Sequence, residues 1–237
     1  MKDLRFISFA LFLMVATPVF FACGDDDDDD TSTNPTANPD MGDNNDVYEV
    51  FTECPDANHP HMIDLGLPSG TKWACCNVGA SAPEQYGNYY AWGETQPKEV
   101  YSWDTYQYGS SLDNVVYIGS DIAGTAYDAA TANWGAPWRM PSLAQCHELE
   151  DDCTSTWTTQ NGIDGQKFTG PNGGTIFLPH AGYCLFSEQH EVGLSGRYWL
   201  STLYGSFPED ALYLLNSGRV TPTNTQRYIG LSVRPVH

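Results

Sequence analysis

A charge-free, mostly apolar run from Phe6 to Ala22 stands at the amino terminus, and it sets this segment apart from any folded domain. The run follows a short charged stretch, which is the order of n-region and h-region in a secretory signal peptide. It has 17 residues and contains Pro18, whereas a membrane-spanning helix needs about 20 apolar residues. The sequence therefore predicts a cleaved signal peptide over residues 1–22 rather than a permanent membrane span.

Cys23 follows the apolar run directly, behind the small residue Ala22. This arrangement resembles a lipobox, the motif at which a signal peptide is cleaved before a cysteine that carries acyl chains, although Phe20 and Phe21 depart from its usual residues. Several acyl chains on one residue anchor a protein stably, so we expect the membrane to be a partner through a lipid on Cys23. The alternative is an ordinary signal peptide with an incidental thiol, which an oxidising compartment disfavours.

Residues 23–46 are predicted to form a disordered acidic tether. Six aspartates, Asp25 to Asp30, lead into a polar stretch with almost nothing apolar to bury, and such composition does not support a core. A run of like charges is usually only solvated and extended. Next to a lipidated cysteine, however, it resembles the surface-export signal of Bacteroidota-type lipoproteins. We therefore expect an outer-membrane protein exposed at the cell surface, with the periplasmic face as the alternative.

The charge is distributed unevenly along the chain. The whole sequence has 30 acidic and 10 basic residues, net −20, while residues 62–237 hold 17 acidic and 8 basic residues, net −9. No basic stripe is present, and a net negative surface repels phosphate backbones, so nucleic acid is not expected as a partner. Residues 47–237 have the length of one domain.

Six cysteines remain once Cys23 is set aside, and an even number in an exported chain predicts disulfides. They are Cys54, Cys75, Cys76, Cys146, Cys153 and Cys184. Two local pairs are excluded, because one is adjacent in sequence and the other spans two helical turns, roughly 10 Å, beyond the reach of about 7 Å. Among the pairings left open we favour Cys76 with Cys153, since both border apolar segments. No C-x-x-C spacing occurs, so no structural metal is expected.

The pattern of apolar residues and turns predicts an α+β fold with segregated helices. Two short strands should lie within residues 62–78, separated by a Pro-Ser-Gly turn. One helix should occupy residues 125–135 and end at Gly135, and a second should begin after Ser142, which forms a capping box with Gln145. From residue 157 onward, short β-like runs alternate with Gly, Asn and Pro turns, and the last of them covers residues 227–236.

Several blocks of sequence together resemble the Fibrobacter succinogenes major paralogous domain, and the likeness covers about residues 62–237. The blocks are IDLGLPSGTKWACCNVGA, YGNYYAWGE, YDAATANWGAPWRMPSLAQCHEL, WTTQNGIDGQKFTGPNGGTIFLP, GRYWLST and YIGLSVRPV. The resemblance implies a C-type lectin-like fold, related to formylglycine-generating enzymes, with two helices flanking small twisted, mostly antiparallel sheets. It also implies a scaffold whose long loops present a binding face, and it implies no cofactor. It does not identify a ligand.

Aromatic residues are concentrated in the predicted loop region 92–117, where Trp103, Tyr106 and Tyr108 are candidate platforms for stacking a sugar ring. Aromatic side chains also fill the cores of small domains, so packing is the alternative. Calcium-dependent sugar binding is not expected, because Gln96-Pro97-Lys98 has a lysine where the lectin motif needs an acid. Pro208-Glu209-Asp210 lacks the amide.

Other polar residues have competing interpretations. Glu94 and Arg139 lie in family-like blocks and are expected to pair with each other. Cys184 near His180 and His190 is the one candidate nucleophile, since a thiol needs a neighbouring base. The formylglycine-generating relatives use a cysteine pair late in the domain, and no cysteine follows Cys184, so that chemistry is not implied. His59 and His61 are expected in a surface loop.

These observations favour a non-enzymatic binding or structural domain on a lipid-anchored surface protein, engaging glycan, polypeptide or another envelope component. One alternative is a cell-envelope enzyme using Cys184 or an unidentified site, and an unbridged Cys184 within hydrogen-bond reach of a histidine would favour it. Another is a subunit of a fimbria-like surface assembly, which predicts an exposed apolar patch or an open sheet edge.

Overall fold

The computed structural model describes residues 61–237 except Ser206 and Arg219. The expected signal peptide (1–22), the lipidated Cys23 with its tether (23–46), Cys54 and His59 lie outside the described residues. In the part that is described, no helix is long and apolar enough to cross a membrane.

Two α-helices are present among the described residues. Helix α1 (Ala129–Trp134) begins after Asp128, whose carboxylate accepts hydrogen bonds from two backbone N–H groups, and it ends at Gly135 with a φ of 79°. Helix α2 (Leu143–Asp152) begins at the predicted capping box of Ser142 and Gln145. The predicted start of α2 and the Gly135 end of α1 are therefore confirmed, whereas α1 begins at Ala129, four residues after the start of the predicted range 125–135.

Twelve strands are present among the described residues, and every pairing between them is antiparallel. They are β1 (Met62–Asp64), β2 (Lys72–Ala74), β3 (Gly109–Ser111), β4 (Asn114–Val115), β5 (Thr154–Gln160), β6 (Ile163–Thr169), β7 (Thr175–Pro179), β8 (Tyr183–Leu185), β9 (Glu188–His190), β10 (Gly196–Leu203), β11 (Asp210–Asn216) and β12 (Val220–Gln226). They form three two-stranded sheets, β1-β2, β3-β4 and β8-β9, and two three-stranded sheets, β5-β6-β7 and β10-β11-β12. A 3₁₀ turn spans Trp103–Thr105. The predicted α+β class is confirmed.

The carboxyl-terminal segment, residues 230–236, joins these small sheets. It makes isolated bridges to β2 and to residue 139 through Val236, to residue 90 through Leu231, to β8 through Gly230 and to β10 through Ser232. Its side chains are buried. The predicted final strand is therefore a shared central segment rather than a member of one sheet.

Arg234 stabilises this junction from a fully buried position. Its guanidinium donates to the side-chain oxygen of Asn77 at 2.8 Å and to backbone carbonyls of Ala74, Cys75 and Phe177 at 3.0–3.1 Å. A weaker contact reaches Pro83 at 3.5 Å. Arginine can serve several acceptors at once because its five N–H groups form a planar fork.

The cores also explain why the favoured disulfide is absent. Cys76 is buried in an apolar cluster with Trp92 and Trp199, whereas Cys153 packs against a different cluster beneath α2. Cys153 follows the last residue of α2 as its cap and carries a free thiol. The prediction of a Cys76–Cys153 bridge is therefore wrong in this structure, because the two segments face separate cores.

Candidate functional site

The candidate binding site lies beside an exposed phenylalanine at the tip of the β8–β9 hairpin. The hairpin turns through two residues, Phe186 and Ser187, and Phe186 has a φ of 53°. A bulky residue seldom adopts this left-handed conformation, because its Cβ crowds the backbone. The ring is nevertheless 60% exposed, so burial of apolar surface does not account for the conformation.

The backbone of Tyr101 holds Phe186 in this position. The Tyr101 N–H donates to the Phe186 carbonyl at 2.8 Å, and the Phe186 N–H donates to the Tyr101 carbonyl at 2.9 Å. The Tyr101 hydroxyl in turn donates to the carbonyl of Tyr89 at 2.6 Å. Burial raises the pKa of Tyr101 far above its ordinary value, so its phenol remains a protonated donor. The hairpin tip is thus fixed to a buried residue.

Phe186 and Tyr101 line a cleft of about 530 Å³, within the range of small-molecule sites. Aromatic rings and the Cys184 thiol share the cleft with amide, hydroxyl and charged side chains. Its lining comprises Gly87, Asn88, Tyr89, Pro97, Lys98, Glu99, Tyr101, Cys184, Phe186, Ser187 and Gln189. A ligand here would meet apolar ring surface and hydrogen-bonding groups together.

The positive charge of Lys98 at the cleft is neutralised by an ion pair with Glu94. Lys98 Nζ lies 2.8 Å from a carboxylate oxygen of the buried Glu94 and donates to the carbonyl of Thr105 at 3.0 Å. Glu94 also accepts a hydrogen bond from the Gln107 N–H at 2.8 Å. Glu99 is exposed and forms no ion pair with any residue that the structure describes. The cleft therefore favours neutral or positively charged groups over anions.

The predicted stacking residues pack against one another beside the cleft. Tyr106 is only 5% exposed and donates its hydroxyl to the Trp92 carbonyl at 2.8 Å. The ring of the half-buried Trp103 lies 4.8 Å from Tyr228 and 5.8 Å from Tyr106, and Tyr108 meets Tyr106 edge-on at 5.9 Å. All three belong to the cluster that includes Tyr89, Tyr101 and Cys184. They support the cleft and do not line it.

Cys184 has an unbridged thiol but no histidine beside it. Burial raises the pKa of Cys184 to about 11, so the nucleophilic thiolate is scarce at neutral pH. In the hairpin Cys184 lies opposite Gln189, and His190 stacks on Tyr183 at 5.1 Å on the other face. The ring of His180 lies against Trp157, 4.0 Å between centroids. Within the described residues, no hydrogen bond joins Cys184 to a histidine.

The expected pair of Glu94 with Arg139 is not formed. Glu94 pairs with Lys98 rather than with Arg139, whose Nη1 contacts the Pro137 carbonyl at 3.4 Å while its backbone pairs with Val236. His61 lies 3.8 Å from the Cys75 sulfur. Over residues 61–237, apart from Ser206 and Arg219, no group of three or more potential metal ligands was found.

Sequence reasoning missed Phe186. Two-residue hairpin loops are usually marked by Asn or Gly, which tolerate a positive φ, and the sequence Leu-Phe-Ser-Glu contains neither. A bulky residue at such a position gives no turn signal.

Comparison of the chain with protein-family models, curated proteins and solved structures gives no match. What the cleft binds must therefore be inferred from its own residues.

Proposed function

We propose that the protein is a lipid-anchored surface protein whose domain, with a C-type lectin-like fold, binds carbohydrate in the Phe186 cleft without catalysis. The observation that supports this most strongly is the exposed Phe186 ring, held at an unfavourable φ by two hydrogen bonds to Tyr101. Strained backbone positions cluster at active sites and ligand clamps.

The composition of the cleft favours a saccharide over other ligands. An aromatic face packs on the C–H surface of a sugar ring, and the exposed Phe186 ring offers such a face. The amides of Asn88 and Gln189 and the hydroxyl of Ser187 lie in the same lining and suit sugar hydroxyl groups. Because Lys98 is engaged by Glu94 and Glu99 is exposed, a neutral or amino-bearing sugar fits better than an acidic one.

No catalytic residue is assigned in this proposal. The cell-envelope enzyme alternative named Cys184 or an unidentified site, and a thiol whose pKa is raised to about 11 by burial is a weak nucleophile near neutral pH. The cleft residues are instead suited to hydrogen bonding and ring packing. Binding is therefore the activity that these side chains support.

The anchor is part of the proposal and has its own test. A lipid on Cys23 and a tether over residues 23–46 would hold the domain at a distance from the outer membrane. Cys23→Ala should abolish incorporation of labelled fatty acid, and persistent labelling would exclude lipidation at this residue. Replacing Asp25 to Asp30 by alanine should preserve lipidation but reduce access of external protease. Unchanged access would leave the acidic run as a spacer alone.

The binding proposal is tested by probing a glycan array with residues 47–237. We expect selective binding to neutral or amino-bearing saccharides, competed by the free sugar. An array of host and envelope proteins should be probed in parallel. Binding only to a protein would replace carbohydrate by polypeptide as the ligand.

A further inference from the structure

Lys98 and Glu99 are the charged residues of the cleft lining in the part of the chain that the structure describes, and they differ in what they contact. Lys98 Nζ has three oxygen atoms within 3.0 Å, two from the Glu94 carboxylate and one from the carbonyl of Thr105. An ammonium group has three N–H donors, so these acceptors occupy all of them. Neither Glu94 nor Thr105 lines the cleft. The positive charge is therefore directed away from a ligand.

Glu99 brings an uncompensated negative charge to the same lining. It is exposed and forms no ion pair with any residue in the described part of the chain. The Lys98–Glu94 pair contributes no net charge, so the Glu99 carboxylate determines the charge that a ligand meets in the cleft. Such a carboxylate attracts cations and repels anions.

The aromatic lining strengthens the preference for a cation. Rings of Tyr89, Tyr101 and Phe186 line the cleft together with Glu99. The face of an aromatic ring is electron-rich and attracts an ammonium group, whereas it repels an anion. An ammonium group bound here would therefore be stabilised by a carboxylate and by ring faces at once.

We propose that the ligands of the cleft are saccharides with a free amino group, and that Glu99 is the residue that selects them. The inference rests on the carbohydrate proposal and narrows it, because a neutral or N-acetylated sugar offers no charged partner for Glu99. The amides of Asn88 and Gln189 and the hydroxyl of Ser187 remain available for sugar hydroxyl groups. Glu99 thus determines specificity, while Phe186 provides the surface against which the sugar ring packs.

Three disaccharides with the same linkage separate the charge from the sugar ring: one of glucosamine, one of N-acetylglucosamine and one of glucose. Each is titrated into the full chain, solubilised in an uncharged detergent, at about pH 6, at which a primary amine is protonated. The glucosamine disaccharide should bind about tenfold more tightly than the other two. This difference should shrink at high salt, because salt screens the attraction between the charges.

Two substitutions that remove the same charge test the role of Glu99. Glu99→Gln should bring the ratio of affinities for the glucosamine and glucose disaccharides close to one. Glu188→Gln is the matched control, because Glu188 is an exposed residue of the β8–β9 hairpin outside the cleft lining, and it should keep the tenfold ratio. Glu99→Lys should reverse the preference, toward a disaccharide that carries a uronic acid. Equal melting temperatures show that the variants fold.

Each contrary result has a distinct meaning. Equal affinity of the three disaccharides for the unmodified chain would overturn selection by Glu99 but leave carbohydrate binding in place. The same loss of preference in Glu99→Gln and Glu188→Gln would overturn it as well, because general attraction to an acidic chain would then explain the preference. Absence of binding by all three disaccharides would remove the carbohydrate proposal and this inference together.

A competition experiment tests whether the sugar is needed. Trilysine carries ammonium groups without a sugar ring, so it should displace the glucosamine disaccharide only at a concentration about tenfold or more above that of free glucosamine disaccharide. Displacement at an equal concentration would show that any ammonium group suffices, which would exclude amino sugars as the selected ligand class.

Discussion

Tyr101 holds Phe186 through a reciprocal pair of backbone hydrogen bonds, 2.8 and 2.9 Å long, at a φ of 53°. Phenylalanine gains little from this position by burial, since most of its ring faces solvent. The conformation is imposed by the surrounding structure, which is the circumstance in which strain persists at functional positions. Stability and binding should therefore respond in opposite directions to some substitutions at residue 186.

Phe186→Asn should separate stability from binding. Asparagine tolerates the left-handed region better than phenylalanine, so the free energy of unfolding should stay the same or rise by about 0.5–1 kcal/mol. Carbohydrate binding should nevertheless be lost with the ring. Urea denaturation and titration with the array-selected sugar measure the two effects. Phe186→Tyr keeps the ring and the strain, so it should retain binding; loss of binding in this control would count against a stacking role.

Arg234→Lys should destabilise the domain severely. Lysine cannot replace the planar fork that serves Asn77 and several carbonyls, and it would leave buried acceptors unsatisfied. We expect a loss of roughly 3 kcal/mol or more in the free energy of unfolding. Arg139→Lys is the control, because the Arg139 side chain makes a single long hydrogen bond to the part of the chain that the structure describes, to the Pro137 carbonyl. Equal effects of the two substitutions would contradict the central role of Arg234.

Asp128→Ala should also be strongly destabilising. The buried Asp128 carboxylate caps α1 and accepts backbone N–H groups from Gly124, Ala130 and Met140 at 2.8–2.9 Å. Burial raises the pKa of Asp128, although these hydrogen bonds oppose that effect. Removing the acceptor should cost about 2–4 kcal/mol. Asp128→Asn retains one acceptor oxygen, so thermal melting should place it between the alanine variant and the unmodified protein.

His180 should make the domain sensitive to acid. Burial lowers the pKa of His180, while Asp164, Asn216 and the Gly193 backbone act in the opposite direction. The unfolded state then binds more protons than the folded state once the pH falls below the ordinary histidine pKa of about 6.5. Stability from this residue is present above that pH and is lost as the pH falls toward the folded-state pKa.

His180→Gln should therefore reduce the loss of stability between about pH 7.5 and about pH 5.5. Urea denaturation at both pH values measures it, with His147→Gln on the exposed side of α2 as the control. An unchanged pH dependence in the His180 variant, or the same change in both variants, would show that buried His180 is not the source.

Local signals predicted the start of α2 and the end of α1, because Ser142 and Gly135 act through hydrogen bonds and φ preferences close in sequence. The Asp128 cap of α1 was not predicted. Strand β12 was not predicted, since Pro222 breaks the pattern and an edge strand tolerates it. The cleft was not predicted either. Tyr101 and Phe186 are far apart in the chain and meet through backbone hydrogen bonds. Such a tertiary contact produces no repeating pattern of residues in the sequence.

The cysteines also show that local sequence patterns predict local geometry but not tertiary contacts. Sequence spacing argues against a bond between Cys146 and Cys153, but it contains no information on which core each cysteine faces. The choice of Cys76 for Cys153 rested on the apolar character that both neighbourhoods share. Two separate clusters satisfy that criterion equally well.

The most direct measurement of the central claim compares Phe186→Ala with Phe207→Ala in sugar binding. Both rings are largely exposed, 60% and 52%, but Phe207 lies outside the cleft lining. Removing the stacking ring should weaken affinity about tenfold or more, while Phe207→Ala should bind like the unmodified domain. Equal binding by all three proteins, or equal weakening in both variants, would contradict a carbohydrate site at Phe186.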